Sequence, residues 1–332
     1  MVMPVDTNSS STRLLGDSPQ MRAVMEQIRR VAPTSASVLL TGESGSGKEL
    51  AARAVHEQSQ RSAHPFIAIN CGAIAVSLIE AELFGHERGS FTGAIRAHAG
   101  VFERVHGGTL FLDEVTEMPC DLQVRLLRVL ETSRFLRVGG VHELTVDVRF
   151  IAATNRCPLQ AVSNGTLRDD LLYRLAVFPI ELPTLRDRGA DVEQLARHFL
   201  AMLNAHHGTS KRLSNASLKT LRQHHWPGNV RELRNAVERA FILGDHCVEL
   251  TPMLVPARTS SQLKSTTNTN GRTNVEFEVG VNLQQAERSL IEATLQRYAG
   301  NKTQAAVALG CSVKTLYNKL NSYTRIGAFS VN

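Results

Sequence analysis

No run of 18 or more apolar residues occurs anywhere in the chain, so neither a membrane-spanning helix nor a membrane partner is expected. The opening stretch, MVMPVDTNSSSTR, lacks the apolar core of a secretory signal and reads as a disordered start, residues 1–13. The cysteines, Cys71, Cys120, Cys157, Cys247 and Cys311, are scattered singly with no CxxC pair, which argues against a zinc or dithiol redox site. Free thiols in a reducing cytoplasm are the expected setting. No internal repeat is present. The 332 residues suffice for two or three domains with a sizeable core in the largest.

Charge is unevenly placed. The chain carries a formal +6, and residues 256–332 hold nine Lys/Arg against four Asp/Glu, leaving about +1 for everything before them. A basic tail of this size is what a small nucleic-acid-binding domain would show. Just ahead of it, residues 256–274 contain 11 Ser, Thr or Asn in 19 positions, with Leu263 as the sizeable apolar side chain. Such a segment has little to bury, and a flexible linker over 256–280 is expected.

Before the linker, two hydrophobic periods alternate. PQMRAVMEQIRRV, residues 19–31, spaces Met21, Val24, Met25, Ile28 and Val31 as one face of a helix. Apolar runs at Val38–Leu40, 66–71, 109–115 and 146–155 read as strands, with helical segments such as DLQVRLLRVLET between them. Strand and helix in alternation imply an α/β domain, a parallel sheet sandwiched by helices, over residues 14–182. Beyond Pro183 the strand signals fade, and residues 183–255 read as a smaller helical domain.

The first strand runs into GESGSGKE. Gly42, Glu43, Ser44, Gly45, Ser46, Gly47 and Lys48 match the GxxxxGK phosphate loop, whose glycines let backbone amides curl round phosphate oxygens at a helix N-terminus. Lys48 reaches the outer phosphates. Glu49 stands where a Ser or Thr would offer magnesium a hydroxyl. The third strand, TLFLDEV, ends in Asp113 and Glu114, an acid placed to hold Mg2+ and a neighbour placed to polarise a water for attack on the γ-phosphate of ATP. The fourth strand ends in Thr154 and Asn155, which either sense that phosphate or form a turn.

GESGSGKE, GSFTGA, GGTLFLDEV, FIAATN, LRDDLLYRLAVFPI and WPGNVREL occur in this order. With them the chain resembles the bacterial sigma-54-dependent enhancer-binding activators, AAA+ P-loop ATPases of the nitrogen-regulator type whose hallmark is a GAFTGA loop. The resemblance runs from about Leu14 to the C-terminus. It implies a hexameric ring, homomeric or mixed with a paralogue, in which ATP hydrolysis remodels the closed complex of sigma-54 RNA polymerase. It implies that Glu49 matches the family's own acid after the lysine, and that Asn70 restrains the catalytic glutamate. Thr154 and Asn155 match sensor I and Arg231 sensor II. Arg168 and Arg174 match the arginines offered to the neighbouring subunit's ATP; read from the residues alone, they could equally pair with Asp169, Asp170 or Asp187. The sigma contact would be Gly89, Ser90, Phe91, Thr92, Gly93 and Ala94, with Ser90 where alanine is usual.

The tail sequence GNKTQAAVALGCSVKTLYNKL lays out a helix-turn-helix within an all-α domain over 281–327. Ala306, Leu309, Val313, Leu316 and Leu320 would pack inward. Lys314, Thr315, Tyr317, Asn318 and Lys319 would face DNA. It resembles the Fis-type domain that binds enhancer DNA in this family. With about a dozen residues ahead of the ATPase, regulation is expected from expression level, a separate regulatory protein or a mixed ring. The rival readings are an ATP-independent DNA-binding regulator that keeps the fold without sigma contact, and a DNA-translocating motor.

Overall fold

The computed structural model describes residues 14–91, 93–250, 283–298 and 300–325, which fall into two compact units, one within Met1–Met253 and one within Leu254–Asn332. The expected disordered start and the expected linker lie outside the described residues. In the first unit, helix α1 (Pro19–Val31), strand β1 (Val38–Thr41), α2 (Lys48–Glu57), β2 (Phe66–Asn70) and α3 (Val76–Phe84) come first. They are followed by the short helix α4 (Val101–Arg104), β3 (Thr109–Asp113), α5 (Cys120–Thr132) and the strands β4 (Arg134–Leu136) and β5 (Glu143–Thr145). Then come β6 (Arg149–Thr154), α6 (Pro158–Ser163), α7 (Asp169–Leu175) and β7 (Phe178–Glu181). The helical portion holds α8 (Asp191–His207), β8 (Arg212–Leu213), α9 (Asn215–Gln223), α10 (Asn229–Leu243) and β9 (Cys247–Val248).

Five strands form one all-parallel sheet in the order β2-β3-β6-β1-β7. Alternation along each strand feeds two cores. Leu110, Leu112, Phe150 and Ala152 enter one face with Phe84, Phe102 and Phe135, whereas Phe111, Ile151 and Ala153 enter the other with Val38, Leu40 and the buried stripe of α1. Helix α1 starts where Ser18 Oγ accepts the Met21 amide at 3.3 Å and Pro19 occupies the first turn. It ends on Arg149, a fully buried β6 side chain that donates to the carbonyls of Ala32 at 2.6 Å and Val31 at 2.9 Å.

The fifth strand, β7, is absent from the four expected from sequence. It is an edge strand that pairs with β1 alone, where Pro179 costs no ladder hydrogen bond that an interior strand would need. The register sets Thr41 opposite Thr154 and Asn70 opposite Asp113, so the C-terminal strand ends gather along one rim. That rim holds the site. Among the described residues no helix is long and apolar enough to cross a membrane.

Candidate nucleotide site and contact surfaces

The phosphate loop joins β1 to α2 as expected. Gly42, Gly45 and Gly47 all take positive φ, and Gly47 caps the helix in the left-handed region. At Gly45 no side chain could fit, because its first carbon would lie 2.4 Å from the carbonyl oxygen of Gly228. Lys48 is buried, and its Nζ donates to the carbonyls of Gly42 at 2.7 Å and Glu43 at 3.2 Å. Burial pushes its pKa down, while the charges of Asp113 and Glu114 pull it back up and that of Arg231 lowers it further. The lysine therefore sits within electrostatic range of both acids. Ser46 Oγ is buried with no hydrogen-bond partner among the described residues.

Asp113 ends β3. Its Oδ2 accepts from Asn70 Nδ2 at 3.2 Å and its Oδ1 from the Glu114 amide at 3.1 Å. Glu114 lies in the left-handed region at φ 53°, a strained setting for a glutamate. Its carboxylate passes over Gly72, where a side-chain carbon would come within 2.9 Å of Oε2. Asn70 was expected to hold Glu114; in this structure its amide holds Asp113 instead, and its Oδ1 accepts the Gly72 and Ala73 amides at 2.9 and 3.0 Å. The reason is the parallel register, which sets Asn70 directly opposite Asp113. Cys71, one residue on, is buried, and desolvation with the nearby Asp113 and Glu114 charges pushes its thiol up to about 12.

Other expected site residues divide. Thr154 Oγ1 is buried 3.1 Å from Thr116 Oγ1 and accepts the Arg156 amide, bracing the turn after β3, while Asn155 is exposed at the strand end. Glu49 is exposed, with its carboxylate 3.1 Å from Arg53 one helical turn on. Arg231 donates to Ser44 Oγ at 3.1 Å, within the phosphate loop. Arg168 makes a two-pronged pair with Asp170 at 3.0 and 2.6 Å, which holds the Asp170 carboxyl below its ordinary range. Arg174 donates to the Leu130 carbonyl at 3.3 Å. No hydrogen bond links either arginine to the chain's own phosphate loop.

The GSFTGA segment forms a tight loop in which the Gly89 amide donates to the Ala94 carbonyl at 2.8 Å and the Ala94 amide to the Phe91 carbonyl at 3.0 Å. Both glycines take positive φ, 82° and 110°. Phe91 is 41% exposed, its ring edge-on to His86 at 5.0 Å, and Ile95 stands out further at 79%. Thr92 lies outside the described residues. The loop leans on the β4–β5 hairpin: the Glu87 amide donates to the Val138 carbonyl at 3.0 Å, and Ser90 packs against Gly139 with its hydroxyl buried and without a partner among the described residues.

In the second unit, α11 (Leu283–Arg297), α12 (Lys302–Ala308) and α13 (Val313–Arg325) pack around Ile291, Ala305, Ala306 and Leu316. Asn301 caps α12, and Ser312 caps α13 by accepting the Thr315 amide at 3.0 Å. Lys314, Thr315, Tyr317 and Asn318 are exposed as expected. Two expectations are corrected. Lys319 is half-buried in an ion pair with Glu287 of α11, because its position on α13 turns it toward that helix. Val313, expected inside, is exposed at the helix start. Leu309 is half-buried against the core, and the side chain of Leu320 lies outside the described residues.

The family model of the sigma-54 interaction domain matches residues 14–181. This chain belongs to the sigma-54-dependent transcriptional activators. In the activator, the AAA+ ATPase lid domain model matches residues 186–271 and that of the bacterial regulatory proteins of the Fis family matches 282–323. The activator is 44% identical to the transcriptional regulatory protein FlbD of Caulobacter vibrioides over 93% of this chain and 70% of FlbD. It is 44% identical to the nitrogen fixation protein AnfA of Azotobacter vinelandii over 94% of this chain but 57% of AnfA. The crystal structure of NtrX from Brucella abortus in complex with ATP superposes with a TM-score of 0.68 at 35% identity, over 94% of this chain and 69% of that one. An ADP complex of the same protein matches equally well.

Several residues that grip the activator's phosphate loop were not singled out from sequence. Arg186, Arg188 and Asn229 belong to the helical portion, yet all three hydrogen-bond the loop. Arg188 looks like a surface charge in the run LRDR but is buried, donating to the Ser46 carbonyl at 2.6 Å. Lys302 was likewise passed over; its ammonium sits 4.5 Å from the centre of the Tyr317 ring, on the same face as the expected DNA contacts.

Proposed function

We propose that this chain binds enhancer DNA through its Fis-type domain and hydrolyses ATP in a hexameric ring to remodel the closed complex of sigma-54 RNA polymerase through its GSFTGA loop. The observation that carries the reading is the gathering of Lys48, Asp113 and Glu114 on one rim of one parallel sheet, beside a glycine loop that opens a helix. The orphaned Ser46 hydroxyl and the helix N-terminus that the loop opens suit a ligand rich in phosphate oxygens. Lys48 would exchange its loop carbonyls for the outer phosphates, and Glu114 would take the proton of an attacking water. Among the described residues no cluster of three or more His, Cys, Asp or Glu could cage a metal ion. That suits Mg2+, which a single acid such as Asp113 holds together with substrate phosphates and waters.

Arg168 and Arg174 complete the reading. Engaged with their own Asp170 and Leu130, they are available to a neighbouring subunit's γ-phosphate only after that exchange, which makes turnover depend on assembly. A cytoplasmic setting, the division at residues 14–182, 183–255, 256–280 and 281–327, and control by a separate protein or a mixed ring belong to the same proposal. A Thr92→Ala chain tests the sigma contact. It is expected to keep ATP hydrolysis and lose activation; unchanged transcription would refute the contact.

A further inference from the structure

Four consecutive phosphate-loop residues are each tied to the helical portion. Glu43 takes a two-pronged pair from Arg186 at 2.7 and 3.1 Å and a third bond from Asn229 Nδ2 at 3.0 Å. Ser44 accepts from Asn229 through its carbonyl and from Arg231 through its hydroxyl, both at 3.1 Å. The Gly45 carbonyl accepts the Val230 amide at 3.0 Å, and the Ser46 carbonyl accepts Arg188 at 2.6 Å. Asn229 is the knot. It is fully buried, holds the left-handed conformation at φ 52° that asparagine tolerates, and accepts the Leu185 amide at 2.8 Å on its Oδ1. One side chain thus joins the loop, the Leu185–Arg188 turn and the start of α10.

These ties are unequal. The Arg188 tie is buried and those of Asn229 are part-buried, whereas Glu43 and Arg186 keep about two-fifths of their side-chain surface, 42% and 41%, in water. Ion pairs of that exposure are weak and readily exchanged. They can open without unfolding what surrounds them. Two residues beyond Asn229 on the same helix stands Arg231, whose guanidinium reaches the loop at Ser44.

We propose that Glu43, through Arg186 and Asn229, is a positioning residue that latches the helical portion onto the phosphate loop and so sets where Arg231 meets the outer phosphate of ATP. This rests on the ATP-binding reading above and adds to it. The Glu43 carboxylate faces the helical portion, bonded by Arg186 and Asn229, and its role is to make the position of α10 depend on the state of the loop. A nucleotide with a γ-phosphate would be held by loop and Arg231 together, one without it by the loop alone, so the latch governs discrimination between ATP and ADP.

The test uses the full chain with Glu43→Gln, Arg186→Gln and the double variant. Trp226, the one tryptophan, is fully buried in the helical portion three residues before Asn229, so its emission reports movement there. Affinities for ATP and ADP are measured by competition with a fluorescent nucleotide. Each single variant is expected to lower the ATP-over-ADP preference about fivefold or more and to blunt the ATP-induced Trp226 change, with the double variant no worse than the poorer single. Arg186→Lys should restore part of the preference. An unchanged preference, or single effects that simply multiply in the double variant, would overturn the latch. If the wild-type chain binds ATP but does not hydrolyse it, the ATPase reading fails while the preference still decides the latch; if it binds neither nucleotide, both fail.

Discussion

Asn70 and Asp113 face each other across neighbouring parallel strands, and the amide of one holds the carboxylate of the other at 3.2 Å. The same asparagine ties down the Gly72–Ala73 turn, over which the Glu114 carboxylate passes. One polar side chain therefore holds the first acid directly and shapes the turn that lies beside the second.

Asn70→Ala removes these bonds together. A loss of about 2 kcal/mol is expected, since each part-exposed bond contributes on the order of 1 kcal/mol. A thermal melt should fall by several degrees, and kcat for ATP should drop about tenfold as the acids lose their geometry. Steady-state hydrolysis and calorimetry on the same preparation check it. Unaltered kcat would show that Asp113 and Glu114 are placed by something else.

Cys71 gives a prediction in alkali. Its thiol is raised from 9.0 to about 12, so the folded chain keeps the proton after the unfolded chain has lost it. The stabilisation is fully present below about pH 9 and is lost between about pH 9 and pH 12, at up to about 1.4 kcal/mol per pH unit. Cys71→Ala should flatten that part of the stability curve relative to wild type. Alkylation of the native chain at pH 8, read by peptide mass, should mark the exposed Cys120, Cys157 and Cys247 long before Cys71.

Much of this site was legible in the sequence because its parts are short and local. A glycine loop between strand and helix, and an apolar run that ends in two acids, each lie within a few residues, and period-2 alternation places both on one sheet. Strand β7 was missed because it is four residues long and contains Pro179, the mark of an edge. The Asn70–Asp113 bond was not legible because strand register is a long-range property that no local pattern contains. Arg188 and Asn229 escaped for the same reason: their partners lie more than a hundred residues away, at Ser46 and Glu43. On α13 the helical period placed Leu316 inside correctly, but the inward turn of Lys319 depended on Glu287 being across from it.

Ser90 is the loop residue whose consequence can be measured by stability alone. Its hydroxyl is buried against the hairpin beside Gly139, without a partner among the described residues. Ser90→Ala removes an unsatisfied polar group and keeps the fit, so it should stabilise the chain by about 1 kcal/mol. Denaturant titration reads this directly. A destabilised variant would mean that the hydroxyl is satisfied in solution.

On the proposed DNA-binding unit, Lys314 and Lys319 should behave differently. Lys314→Ala is expected to weaken enhancer binding and reduce the salt dependence by about 0.9 in slope for one lost phosphate contact. Lys319→Ala should leave the slope closer to wild type and lower the melting temperature of this unit, because it gives up the pair with Glu287. Binding isotherms at several salt concentrations, with a melt of each variant, separate the two.

The most direct test of the account is open-complex formation by purified chain and sigma-54 polymerase on a promoter carrying its enhancer. Permanganate footprints of melted DNA are compared with ATP and with a non-hydrolysable analogue. Melting with ATP alone, abolished by Glu114→Gln, is the expected result. Equal melting with the analogue would contradict it.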